Sequence, residues 1–91
     1  MTIHQLKTDP IVFNDVADEN KNFEIRFNDR KFQIYDTLIL LETKFTGEEM
    51  KNGKPLEFTG ESITATVKYI MYGETYGLKE GWVIMSLGNL M

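Results

Sequence analysis

Apolar and polar positions alternate in several short runs along this chain, and each run predicts a strand. In "NKNFEIRFNDRKF", residues 20–32, Phe23, Ile25 and Phe27 alternate with Glu24, Arg26 and Asn28. That pattern predicts a strand over 22–28 with one oily face and one face carrying opposite charges. Residues 62–71, SITATVKYIM, alternate for longer, so Ile63, Ala65, Val67, Tyr69 and Met71 are expected to face one way. Residues 2–7 predict a short first strand, 32–35 a short extended piece, and WVIMSL at 82–87 a last strand. Within 37–45, Leu38 to Leu41 are four apolar residues in a row, which suits a strand buried on both faces.

One segment has helical spacing instead. Asp9 can cap a helix and Pro10 suits its first turn, and Phe13, Val16 and Ala17 then lie on one face. A helix over 10–19 is predicted, ended at Asn20, because Asn tolerates the left-handed conformation. Asn28-Asp29-Arg30-Lys31 reads as a turn, residues 46–60 as a hairpin-like excursion, and Gly73, Gly77 and Gly81 as breaks in a loop. Five or six mostly antiparallel strands with one early helix predict a small α+β domain, a closed or nearly closed β-barrel. Tyr69 and Trp82 are expected in its core. Closure would remove the exposed edges that a small sheet must otherwise protect.

Composition narrows the function. Ninety-one residues hold one core, and the chain, 42 % hydrophobic and 26 % charged, has an ordinary soluble composition. Without cysteine there is neither a disulfide framework nor a Cys-based zinc site, and a lone histidine, His4, offers no metal set. No apolar run approaches membrane-spanning length and no signal peptide is evident, so a cytoplasmic location is expected. The net charge of −4 argues against duplex DNA or RNA, whose binding rests on many Lys/Arg–phosphate contacts. Residues 1–31 are nearly balanced, with five basic and six acidic side chains, so a basic groove for a small target is expected there.

Glu24 and Arg26, two apart on a strand, share a face, with about 6.5–7 Å between Cα atoms. They form either a salt bridge or a ligand-reading pair, with Arg26 as a fork for phosphate or a base edge and Glu24 as acceptor from a base amino group. Arg30 belongs either to the turn or to a phosphate-facing pair with Arg26. Tyr72 and Tyr76 flank the glycine loop, where either could stack on a base. No Ser/His/Asp or Cys/His arrangement can be assembled, so no catalytic residue, cofactor or metal is assigned.

In order along the chain, HQLK at 4–7, KNFEIRFNDRKF at 21–32, YDTLIL at 35–40, FTGESITATVKYIMYG at 58–73 and GLKEGWVIMSL at 77–87 resemble the small bacterial and phage proteins of the ASCH group, within the PUA-like superfamily. The resemblance implies a PUA-like barrel flanked by the early helix, with a cleft between them that takes RNA or a nucleotide-like ligand. Its Lys-x-x-x-x-Arg segment falls on Lys21 and Arg26. Two departures stand out: the family carries Gly where Glu19 and Tyr35 stand here. An ASCH branch that hydrolyses acetylated cytidine uses a Lys, a Thr and a Glu. Lys21 matches its lysine, but Glu24 occupies the threonine's position, so the nucleophile is missing. The expected function is a module for single-stranded RNA or a nucleotide, using Lys21, Glu24, Arg26, Arg30 and Tyr76. The alternatives are an amidohydrolase-like enzyme on a modified nucleoside and a phage or mobile-element accessory protein with a protein partner.

Overall fold

In a computed structural model that describes residues 1–74 and 77–91, the chain runs through five strands and two helices. They are β1 (Ile3–Thr8), α1 (Pro10–Ala17), β2 (Phe23–Phe27), β3 (Thr37–Thr43), α2 (Gly47–Lys51), β4 (Phe58–Tyr72) and β5 (Trp82–Gly88). The strands form one sheet in the order β1-β3-β4-β5-β2, curled into a half-barrel. Only β1 and β3 run parallel; the other neighbours are antiparallel. The α+β class and barrel-like form agree with the sequence reading.

The core fills the concave side. Leu38 and Leu40 of β3, Ala65 and Val67 of β4, and Val83 and Met85 of β5 are almost wholly buried, with Phe13 and Val16 of α1 packed over them. The helix begins as expected, since the Asp9 carboxylate accepts from the Ile11 N–H at 2.8 Å and Pro10 opens the first turn. It ends two residues early. Asp18 is the cap, Glu19 takes φ +59°, and the N–H groups of Glu19 and Asn20 bond back to the carbonyls of Val16 and Asp15. This is a complete Schellman turn with Glu19, not Asn20, in the left-handed place.

Five other expectations need correction. Residues 32–35 are not extended: Ile34 and Tyr35 form a turn, with Tyr35 at φ +74°. The excursion at 46–60 contains α2, closed by a reciprocal capping box between Thr46 and Glu49, and β4 starts by Phe58. Within the apolar run of β3 only Leu38 and Leu40 are fully buried; Ile39 and Leu41 are half-covered. On β4 the alternation slips at Lys68, where the pairing with β5 shifts register, so Ile70 turns inward and Tyr69 is 62 % exposed. A bulge inserts one unpaired residue and re-phases every side chain after it. Trp82, expected in the core, is half-buried.

The two ends of the sheet matter most for function. β1 and β2 are its edges and do not pair. Instead, Arg26 Nη2 donates to the Lys7 carbonyl at 3.1 Å and Arg30 Nη1 to the Gln5 carbonyl at 2.8 Å. Two arginine side chains thus span the seam that backbone bonds would close in a full barrel. They satisfy carbonyls that the edge of β1 would otherwise leave to solvent.

Candidate functional site

The site begins with an inversion on β2. Its oily side chains point outward, with Phe23, Ile25 and Phe27 at 37 %, 44 % and 53 % exposure, while Glu24 is 2 % exposed. Register explains the direction: Glu24 pairs with Met85 and Arg26 with Val83, both core residues of β5. The core side of the sheet therefore finishes, at its last strand, in charge.

Burying a carboxylate without partners is costly, so the geometry around Glu24 is decisive. Lys21 Nζ lies 3.1 Å from Glu24 Oε1, and Arg26 Nε lies 3.0 Å from Oε2. Every buried side-chain nitrogen and oxygen among the described residues has a partner. Lys21 reaches its place because the Schellman turn reverses the chain after α1, with the Lys21 N–H also bonding to the Asp15 carbonyl. Its ammonium then lies 5.2 Å over the Phe23 ring. Arg26, pinned at Nε by Glu24 and at Nη2 by the Lys7 carbonyl, is held flat across the seam.

A cavity of about 410 Å³ opens here between the end of β1, the start of α1, and β2. This is within the usual range for small-molecule sites. Lys21, Glu24 and Arg26 line it together with Lys7, Thr8 and Trp82. Lys21, Glu24 and Arg26 thus meet as the sequence placed them. Arg30 stands further along the seam, in a neighbouring cavity, and Tyr76 lies outside the described residues. Each Glu24 oxygen is held by one cation, so the carboxylate orients Lys21 and Arg26 together.

Sequence reasoning gave Lys7 and Thr8 no part in a site and placed Trp82 in the core. The alternation of Gln5 and Lys7 (exposed) with Leu6 and Thr8 (buried) on β1 was a usable signal. Nothing in the sequence said that β1 would face β2 across a gap. Asp9 also borders the cavity, but its carboxylate is committed to the Ile11 and Gly47 N–H groups, joining the starts of both helices.

The lone histidine is structural. His4 Nε2 lies 2.9 Å from Asp36 Oδ2, with Phe32 edge-on to the imidazole at a centroid distance of 4.8 Å. Asp36 also accepts from the Thr2 and Gln33 N–H groups. Burial pushes its pKa up, but the His4 and backbone hydrogen bonds outweigh that and hold it below the ordinary value. An ionised carboxylate only accepts, so Nε2 carries the shared proton. Among the described residues, no three of His, Asp or Glu stand together to hold a metal ion. None of the described helices is long and apolar enough to cross a membrane.

No curated protein matches the chain. Residues 3–87 match the model of the family described as "Domain of unknown function (DUF3850)", from the first residue of β1 to the last but one of β5, and the chain belongs to that family.

Proposed function

We propose that the chain is a binding module of the PUA-like, ASCH type, holding a nucleotide or a short single-stranded RNA in the cleft between β1–α1 and β2. The observation that carries this reading is Glu24, buried at the cavity wall and holding Lys21 and Arg26 side by side. Their side chains keep 21 % and 27 % exposure, so each can still meet a ligand. Two cations and one carboxylate leave positive charge for a phosphate, and Trp82 provides an aromatic wall for a base. The left-handed backbone at Glu19 and Tyr35, where the resembled family has glycine, also supports the family reading.

Amide hydrolysis is the weaker alternative, because Glu24 stands in the place of the threonine nucleophile and is a buried carboxylate held between two cations, which stabilise its charged form and make it a poorer base. Trp82, the chain's one tryptophan, makes binding measurable by its fluorescence. Titration with nucleotides and short RNA should quench it, and Arg26→Ala should weaken binding by about 1–3 kcal/mol with the fold intact by circular dichroism. Equal binding by wild type and Arg26→Ala would remove the ligand from this cleft. If no nucleotide or RNA binds, the exposed Phe23, Ile25 and Phe27 face makes a protein partner the better reading.

A further inference from the structure

The cavity at Lys21 does not stand alone. A second one, of about 290 Å³, lies further along the same seam, bounded by Leu6, Phe27, Arg30 and Phe32. The two cavities share two walls, Lys7 and Arg26. Their aromatic sides also meet: Trp82 lines the first and Phe27 the second, and the two rings stand edge to face with centroids 6.0 Å apart.

Charge limits what can occupy the pair. The first cavity is lined by three cations, Lys7, Lys21 and Arg26, and two carboxylates, Asp9 and Glu24. The second adds Arg30 and Asp29, which offset each other. One net positive charge remains along the seam, on a molecule whose total is −4. Such a site favours a ligand with a single negative charge and disfavours a di- or triphosphate, which would carry several into a negative field.

We infer that the seam takes two consecutive nucleotides of a single strand, one base in each cavity, with their phosphodiester lying over Arg26 and Lys7. This rests on the nucleotide-binding reading above and specifies its ligand: a linked pair with one charge, not a free mono- or triphosphate. The guanidinium of Arg26 is suited to the bridging position because it is fixed on two sides by Glu24 and the Lys7 carbonyl. Aromatic rings at successive places along a groove are the usual means of holding successive bases without reading their sequence.

Trp82 fluorescence should be titrated at low salt with the dinucleoside monophosphate ApA, its deoxy counterpart, 5′-AMP and ATP. ApA or the deoxy form should bind at least about fivefold more tightly than AMP, and the better of the two identifies the strand the seam takes. ATP should bind most weakly. Raising the salt should weaken dinucleotide binding only modestly, because the ligand carries a single phosphodiester charge that ordinary ionic screening acts on. Arg30→Ala and, separately, Phe27→Ala should bring the dinucleotide-to-AMP ratio towards one. Both residues are exposed enough for the fold to survive, which circular dichroism would verify. If AMP equals the dinucleotide, if ATP is tightest, or if neither variant changes the ratio, the two-nucleotide assignment fails while nucleotide binding stands. Absence of binding by all four probes would defeat both.

Discussion

At the scale of single residues, Glu19 and Tyr35 are two of five non-glycine residues, among those described, that take a positive φ. Glu19 at φ +59° and Tyr35 at φ +74° occupy the left-handed region, which costs a residue with a Cβ roughly 1–2 kcal/mol. Both are exposed, so neither gains a core contact that would offset the cost. Glycine removes the steric cost but adds flexibility to the unfolded chain, typically about 0.5–1 kcal/mol. Glu19→Gly and Tyr35→Gly are therefore each expected to leave stability unchanged or raise it by up to about 1 kcal/mol, read from urea unfolding midpoints. A drop of more than 1 kcal/mol in either would mean the side chain holds a contact that outweighs its backbone strain. Neither position announced its conformation through its own residue type. Glu19 reads as helix and Tyr35 as strand, and only the resemblance marked both as glycine places.

At the scale of elements, Asp9 joins three of them. It follows β1, caps α1 through the Ile11 N–H, and accepts from Gly47 at the start of α2 at 3.2 Å. One carboxylate thus serves two helix starts, where negative charge is favourable. Asp9→Ala should cost about 1–2 kcal/mol in urea unfolding, against about 1 kcal/mol for Thr46→Ala, which removes the α2 cap alone. A loss well below about 1 kcal/mol for Asp9→Ala would show that its carboxylate stabilises neither helix start. The cap was legible as Asp-Pro before an apolar periodic run. The link to α2 was not, because it joins residues 38 apart in sequence. The slip on β4 was hidden too. Ile63 to Val67 alternate cleanly, but Tyr69, Ile70 and Met71 are all apolar, so the hydrophobic pattern does not say which of them the bulge at Lys68 turns inward.

At the scale of the whole molecule, the half-barrel is tied at several points by polar side chains. Asp36 fastens the start of the chain to the turn before β3 through Thr2, His4 and Gln33. Because its folded pKa lies below the unfolded value of 3.8, the folded state holds on to its proton less. The stability this gives is fully present above the unfolded pKa and is lost as pH falls through the folded one. Asp36→Asn should therefore be less stable than wild type by a constant amount above about pH 5. The gap should narrow as pH drops below 3.8, measured by urea unfolding across pH 2–7. A gap that stays constant down to pH 2 would show that Asp36 does not hold a lowered pKa.

By itself, the sequence determined the local elements and the chemistry of the site. Alternation placed β2, the central part of β4, and β5, a cap and spacing of three placed α1, and Lys21, Glu24 and Arg26 stood out as a charged set on one short segment. These are properties of near neighbours, set by backbone geometry and side-chain type. Tertiary structure alone decided which face of β2 turns inward, for the oily face would have been the ordinary choice. Three partners settled it: Lys21 and Arg26, which neutralise Glu24, and β1, whose carbonyls receive the arginines. Burial of a charge depends on what stands within about 4 Å of it in space. Periodicity along one strand carries no record of the strand across the gap.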